Sequence, residues 1–497
     1  MQIRLKSCLS SVLALLLPAA LLAQTPGPVC QTQAGPVQGT RENQVLIFRG
    51  IPYARQPDRF LPPQPVAPWP GVRAATAFGP RAAQVGGPGV VGAENCLTLN
   101  VWTPSVKARR AKAVVVWVHG GSFTGGSGDD FSGATFATDS VVAVSINYRL
   151  GSFGFLQLGK LLGPAYRQSA NAGLLDAVQA LRWVHANISA FGGDPARVTV
   201  MGESAGAKLV SSLAVTPAAR GLFQQLILES GATQSVRDTV TAAAVTQRLL
   251  QALNLRPDQA NTLLTLPTAD IMRAQEKITS GPNGLMLYGP VVDGLTITEA
   301  PLTYLQRPDR APVRVLLGTN RDEAAMFMGF WPALRQPNPE VLTALLGANA
   351  DAVWQAYEQA HRTLPTDQAW LQTTTDYLYR LATHRLAHIL AQAGQQVWLY
   401  RFDYQPAGGT GPIHAQELGY VWNSLSAKTA QNPASRALAT QMHQYWVNFI
   451  TTGNPGKTWP RYSAKRRTLM VFDSVSGPAR LPTPYQDPAF PDQAFRL

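Results

Sequence analysis

The chain has 497 residues, 45% hydrophobic and 14% charged, enough to bury a large core and far from the composition of a disordered chain. Its net charge is +13, yet the basic residues are scattered apart from Arg109-Arg110 and Lys465-Arg466-Arg467, and no aromatic–basic motif accompanies them. That pattern argues against a nucleic-acid partner and for a solvated basic surface, attracted at most to anionic envelopes or acidic small molecules.

In chain order, Arg4 and Lys6 precede an apolar run at 12–23, after which Gln24-Thr25-Pro26-Gly27-Pro28 breaks any helix. Residues 1–23 therefore read as a cleavable secretory signal peptide, cut after Ala23; the run is short for a bilayer span. A secreted or periplasmic protein with no membrane span after signal removal is expected. The Pro/Gly-rich stretch 79–92 reads as a surface loop. Apolar runs at 114–118, 141–146, 198–201, 226–228, 313–317 and 397–402 alternate with helical stretches, as a mostly parallel sheet with crossovers requires. Segments 233–277 and 324–395 are richer in helix formers.

Two of these runs end in motifs that carry chemistry. The run at 114–118 leads into His119-Gly120-Gly121-Ser122-Phe123, and a Gly-rich loop after a strand can aim N–H groups at a developing oxyanion. The run at 198–201 leads into Gly202-Glu203-Ser204-Ala205-Gly206 and a helix-compatible stretch at 208–215. Glycines flanking the serine permit a bend tight enough to thrust its hydroxyl out at the strand end. A serine hydroxyl is a poor nucleophile by itself, so a base and an acid must come from elsewhere.

Further segments complete a pattern: Gly50-Ile51-Pro52-Tyr53-Ala54, Glu94-Asn95-Cys96-Leu97, Asn147-Tyr148-Arg149-Leu150-Gly151 and Asn171-Ala172-Gly173-Leu174-Leu175-Asp176. Ala190-Phe191-Gly192-Gly193-Asp194-Pro195 and Tyr445-Trp446-Val447-Asn448-Phe449 extend it. With these the chain resembles the type-B carboxylesterases over nearly all of its mature length. The resemblance implies an α/β-hydrolase fold, a mostly parallel central sheet flanked by helices. It implies one catalytic domain over 24–497, with helical insertions around 233–277 and 324–395 walling an active-site gorge. It also implies a serine hydrolase that cleaves carboxylic esters through an acyl-enzyme, with no cofactor.

Residue by residue, the resemblance makes Ser204 the nucleophile. Gly318-Thr319-Asn320-Arg321-Asp322-Glu323 resembles the family's acid loop, in which the second carboxylate is the triad member, so Glu323 is the acid and Asp322 a loop-capping or ion-paired rival. Gly411-Pro412-Ile413-His414 resembles the histidine loop, which makes His414 the base. The order Ser204, Glu323, His414 is that of the fold. The oxyanion hole maps onto the N–H groups of Gly121, Ser122 and Ala205, with serine at 122 where many relatives have a third glycine. Glu203 and Ser230 map to a buried network near the histidine, His119 to a residue holding the oxyanion loop, and Glu94 to an ion pair with an arginine. Met286 and Leu287 fall where the acyl pocket is lined. Relatives often tie the Cys96 position to a cysteine about thirty residues upstream. Here none lies between Cys30 and Cys96, so a Cys30–Cys96 disulfide is the pairing open to an oxidised chain.

The remaining histidines have bland readings. His384 and His388 sit four apart on a helical stretch, but no third ligand accompanies them, so no metal site is expected and a packing or surface role is. His185 and His443 fall on helical patterns. The stretch 81–95 has no aromatic residue to meet a quaternary ammonium, which disfavours choline esters. Short-to-medium acyl or aromatic esters are the expected small-molecule substrates, and the net charge adds an expectation of mild preference for anionic ones. A lipase or amidase with the same triad is the competing class. A non-catalytic binding relative is a further one, although such proteins usually lose the serine or histidine retained here.

Overall fold

A computed structural model of the chain describes residues 25–87, 89–409, 411–481 and 493–496. The expected signal peptide at 1–23, its cut and Cys8 lie outside the described residues. The central apolar runs become strands because a sheet buried on both faces needs near-continuous hydrophobic sequence. Lys112–Val118, Val142–Ile146, Gln225–Glu229, Arg314–Asn320 and Gln396–Phe402 are all of this kind.

The sheet has 13 strands among the described residues. Edge to edge they run Thr25–Gln31, Pro36–Glu42, Val45–Pro52, Thr98–Thr103, Val142–Ile146, Lys112–Val118, Gly193–Glu203, Gln225–Glu229, Arg314–Asn320, Gln396–Phe402, Thr468–Phe472 and Gly477–Arg480, with Arg73–Ala74 off this path. The strands from Val142–Ile146 to Thr468–Phe472 are parallel, and both edges of the sheet are antiparallel. The Gly193–Glu203 strand begins earlier than the apolar run at 198–201, because Gly193 pairs with Lys112 ahead of a register shift.

Side chains alternate across this sheet and so divide the core in two. Val114, Val116, Val118, Val200, Leu228 and Leu317 pack on one face, under the helices Ala172–Asn187, Ala205–Leu213 and Leu381–Gln392. Val115, Trp117, Met201, Ile227, Leu316 and Trp398 face the other way, against the helix Pro433–Thr452 through Met442, Trp446 and Phe449. A third cluster, with Leu249, Leu263 and Met272, lies under the helices Thr239–Ala252 and Thr268–Ile278. The region after Arg314–Asn320 is helical too: Ala324–Phe330, Pro339–Leu346, Ala350–His361 and Thr366–Thr375. No helix among the described residues is long and apolar enough to cross a membrane.

Two expectations need correction. The stretch 79–92 is not only loop: Gln84–Gly86 and Gly89–Val91 form an antiparallel ribbon. Its β-branched pairing is local, and the Gln84 side chain ties it to the backbone of Gly126. Cys30 and Cys96 are free thiols, both buried, and not a disulfide. Cys30 lies in the edge strand Thr25–Gln31, whereas Cys96 precedes Thr98–Thr103, three strands across. At about 4.8 Å per strand, three steps across the sheet span about 14 Å, twice the Cα reach of about 7 Å that a disulfide allows. Burial pushes both thiols up to about 12, which keeps them protonated.

One buried ion pair ties two of the sequence blocks together. Arg149 holds Asp176 in a fork, Nε donating to Oδ2 at 2.8 Å and Nη2 to Oδ1 at 2.6 Å. Arg149 Nη1 also donates to the Leu61 carbonyl at 2.7 Å. Neither side chain sees appreciable solvent. Asp176→Ala strands the guanidinium in the core and is expected to cost about 3–5 kcal/mol of unfolding free energy. Denaturant titration reads this; a loss below about 1 kcal/mol, the scale of a surface pair, would show the pair to be dispensable.

Candidate active site

Ser204 is the single residue between the strand Gly193–Glu203 and the helix Ala205–Leu213. Its φ of 53° lies in the left-handed region, a strained setting for a residue with a side chain. The bend survives because its neighbours are stripped of bulk. A Cβ on Gly206 would sit 2.1 Å from the Val118 carbonyl oxygen, and one on Gly202 would sit 2.6 Å from the Gly206 carbonyl carbon. The Ser204 N–H donates to the Glu229 carbonyl on the adjacent strand at 2.8 Å, which pins the bend to the sheet.

The hydroxyl meets a base and an acid from far along the chain. His414 Nε2 lies 2.8 Å from Ser204 Oγ, and His414 Nδ1 lies 2.6 Å from Glu323 Oε2. Glu323 follows the strand Arg314–Asn320, and His414 sits in the loop after Gln396–Phe402. The two loops are stitched together: the Asp322 N–H donates to the Pro412 carbonyl at 3.0 Å, and Asn320 Nδ2 donates to the Ile413 carbonyl at 2.6 Å. Glu323 Oε1 accepts from the Ser230 hydroxyl at 2.6 Å and from the Asn320 N–H at 2.7 Å. Three donors thus hold its carboxylate. Asp322 instead pairs with Arg321 at 2.9 Å and does not reach the imidazole.

The Gly-rich loop abuts this constellation, since a Cβ on Gly120 would sit 3.2 Å from Ser204 Cβ. Gly121 and Ser122 have φ of 101° and 55°, and Ala205 is the first residue of its helix. Among the described residues, none of these three N–H groups donates a hydrogen bond. The loop is braced from behind. His119 stacks on Tyr148 at 4.6 Å, its Nδ1 lies 2.9 Å from the Gly120 carbonyl, and the Tyr148 hydroxyl donates to the His119 carbonyl at 2.9 Å. Burial pushes the His119 pKa down to about 4, so the ring stays neutral. Glu94 pairs with Arg59 at 2.6 Å.

Four glutamates lie buried around the imidazole: Glu203, Glu229, Glu323 and Glu417. Glu203 Oε1 is 3.1 Å from His414 Nε2 but makes no aligned hydrogen bond to it. Burial, and then the charge of Glu323, raise the Glu203 pKa well above the carboxylate range, against the opposing charge of Lys208, and so favour its protonated form. Burial raises Glu229 as well, against the opposing hydrogen bond that Trp446 Nε1 donates at 2.7 Å. Glu417 is pushed up to about 8 by burial and then by the charges of Glu323 and Glu203; Asn320 Nδ2 donates to it.

Three further side chains belong to the site although the motifs did not mark them in this role. Glu417 follows His414 by three residues, close enough in sequence to have been noticed. Tyr379 lies in a π-helical turn, Asp376–Arg380, and its ring is 4.5 Å from that of His414, with Phe327 at 5.1 Å. Its hydroxyl is near enough to Ser204 to feel that hydroxyl, yet makes no aligned hydrogen bond. Lys208, one turn into the helix after Ser204, interrupts an apolar run and is fully buried. Met286 and Leu287 are buried as well, and Lys208 Nζ lies 3.8 Å from the Met286 sulfur. His384, His185 and His443 sit in helices; among the described residues no cluster of three or more metal-ligating side chains occurs.

The folded state keeps a proton on Glu417 that an unfolded chain releases above its ordinary pKa of 4.5. Its contribution is therefore complete below 4.5 and lost as pH rises through about 8. Glu417→Gln mimics the protonated acid, so the melting temperature of the variant relative to wild type is expected to climb between these pH values. Calorimetry at intervals across that range checks it; a constant difference would mean that Glu417 titrates normally.

The comparisons with known proteins agree with one another. A profile of the carboxylesterase family matches residues 26–479. The para-nitrobenzyl esterase of Bacillus subtilis is 36% identical over 90% of this chain and 95% of its own length. Carboxylesterase 4A of Bos taurus is 31% identical over 93% and 95% respectively. A crystal structure of a Geobacillus stearothermophilus carboxylesterase superposes with a TM-score of 0.83 at 35% identity, covering 93% of this chain and all of that one. The match spans both the sheet and the loops that carry Ser204, Glu323 and His414: the chain belongs to the carboxylesterase family and is a carboxylic ester hydrolase of the α/β-hydrolase fold.

Proposed function

We propose that Ser204, His414 and Glu323 act as a catalytic triad on small carboxylic esters, with the N–H groups of Gly121, Ser122 and Ala205 as the oxyanion hole. The unbroken Ser204–His414–Glu323 chain, at 2.8 and 2.6 Å, carries this reading. Neutral His414 accepts the Ser204 proton through Nε2 as Oγ attacks the ester carbonyl. The carbonyl oxygen becomes an oxyanion, which the free N–H groups stabilise. Nδ1–H keeps its bond to Glu323, whose carboxylate offsets the imidazolium charge. Collapse breaks the bond to the alcohol oxygen, which takes the proton from Nε2. A water then repeats the cycle on the acyl-enzyme, releasing the acid and restoring Ser204.

Protonated Glu203 supports this cycle by sparing His414 a second negative charge beside Nε2. Ser230 orients Glu323, and His119 holds the oxyanion loop. Met286 and Leu287 form part of the acyl wall, which suits short-to-medium acyl or aromatic esters. The helices after Asp238 and after Glu323 wall the approach to the serine, Phe327 and Tyr379 already touching His414 from the second set. Residues 1–23 act as a signal peptide that exports the enzyme.

Ser204→Ala is expected to lower kcat on 4-nitrophenyl esters by about six orders of magnitude. A fluorophosphonate should label wild-type Ser204 and leave the variant unmarked, as intact-protein and peptide mass spectra report. Full activity in Ser204→Ala would end the triad reading. Protein recovered outside the cytoplasm is expected to begin near Gln24; recovery there with Met1 intact would refute the signal-peptide assignment.

A further inference from the structure

The chain holds two basic runs that the active site does not use, Arg109-Arg110 and Lys465-Arg466-Arg467. They are remote in sequence, yet each stands just ahead of a parallel strand, the first before Lys112–Val118 and the second before Thr468–Phe472. Parallel strands start at one edge of a sheet and end at the other, so both runs lie at the edge opposite Ser204. The strand Lys112–Val118 has 7 residues, which puts the two edges about 20 Å apart. Strand order sets five steps between the runs, about 24 Å across the sheet. A twist of about 20–25° per step fans the strand ends across that edge without carrying them to the other one.

Arg109, Arg110, Lys465 and Arg466 are exposed, and Lys112 and Arg467 are half-buried. Among the described residues none of them forms an ion pair. The acids near the starts of the parallel strands are matched already: Asp139 by His443 at 2.9 Å, Asp194 by Arg197 at 2.8 Å and Asp309 by Arg307 at 2.9 Å. Helix C-termini reach the same edge, and other cations serve them. Arg314 lies against Gly453, just past the helix Pro433–Thr452, and Arg310 donates to the Ala393 carbonyl at the end of Leu381–Gln392. Each terminus carries about half a negative charge, which one arginine more than offsets. The two runs are left with no internal duty.

The chain also enters the fold here. Thr25 pairs with Arg41, and Arg41 lines a surface groove with Lys107, two residues ahead of the first run. The apolar run at 12–23 thus joins the described fold beside cations. We propose that this basal face docks the enzyme on an anionic lipid bilayer, leaving the Ser204 edge open to solvent. A bilayer suits cations spread over a broad face, because its headgroups move laterally to meet them. Each lysine or arginine near such a surface raises partitioning about fivefold. A single-stranded nucleic acid would call for stacking rings beside the cations, whereas Trp459 and Tyr462, the rings next to the second run, are buried. The export reading of residues 1–23 gives the enzyme occasion to meet such a surface, but the charge pattern stands without it.

The test is cosedimentation of the chain from Gln24, which holds every described residue, with vesicles of phosphatidylcholine alone or mixed with phosphatidylglycerol. Wild type should partition at least about tenfold more strongly onto the phosphatidylglycerol vesicles, and high salt should abolish the difference. Arg110→Ser, Lys465→Ser and Arg466→Ser together should weaken that partitioning at least about tenfold and leave hydrolysis of 4-nitrophenyl esters unchanged. A charge-matched control, Lys277→Ser with Arg362→Ser and Lys428→Ser, should bind vesicles nearly as wild type does. Equal loss in the control would mean that net charge alone acts and would refute the face. No preference for phosphatidylglycerol in active wild-type enzyme refutes docking and leaves the esterase reading intact. Retention by a DNA duplex but not by vesicles would assign the face to nucleic acid and refute the proposal. Loss of ester hydrolysis on the vesicle would refute the outward orientation of Ser204.

Discussion

The bend at Ser204 is the constraint on which the site depends. A residue with φ of 53° holds that conformation only when its surroundings leave no alternative. Three features do so: the Glu229 carbonyl that accepts its N–H, the two glycines through which strand and helix nearly touch, and the start of a buried helix at the next residue. The result is a hydroxyl at the C-terminal end of a central parallel strand. Neighbouring parallel strands end at the same edge of the sheet, so their following loops meet there. Glu323 and His414 arrive in this way, 91 residues apart in sequence, and His414 is 210 residues from Ser204. Sheet topology supplies the proximity; local hydrogen bonds between the acid loop and the histidine loop supply the precision.

Around that meeting point the protein has to decide where charge is allowed. Four buried glutamates within one low-dielectric region cannot all ionise, since each charge raises the cost of the next. Donor count separates them. Glu323 collects the imidazole, a hydroxyl and a backbone N–H, whereas Glu203 lacks an aligned donor and Glu229 has an indole on one oxygen only. The anion is thereby placed on the Nδ1 side of the imidazole, where it stabilises a proton arriving at Nε2. A second anion on the Nε2 side would compete with the serine for that proton, so a protonated Glu203 is the arrangement that suits the reaction.

Much of this was legible in the sequence, and the parts that were not share a physical reason. The central strands could be read because burial on both faces demands apolar runs, and the serine, acid and histidine each follow one of those runs in a short motif. The antiparallel edge could not, since Pro36–Glu42 mixes exposed and buried positions with no clean alternation. The separation of Cys30 from Cys96 is set by strand order, which two cysteines do not encode. The ribbon at 84–91 depends on docking Gln84 to Gly126, a contact between loops 42 residues apart. Tyr379 reaches the imidazole through a π-helical turn whose position no periodicity announces. Arg237 depends on pairing with the segment around Pro290, more than fifty residues later in the chain. Lys208 was visible as a charge in an apolar helix, but its burial against Met286 and Tyr379 required the fold.

Several departures from local rules meet at the site, although positive φ also occurs outside its loops, at Asn43, Phe60, Ser140, Asn254 and Arg467. Positive φ at Ser122, Ser204 and Ser230, the π-helical turn under Tyr379 and the clustered glutamates all lie at one end of the parallel strands. The central strands alternate between the two cores, and the fully buried Arg149 finds its aspartate. The strain at Ser204 persists because the surrounding strand, helix and glycines over-determine it, and the stability lost there is borne by the regular remainder of the fold.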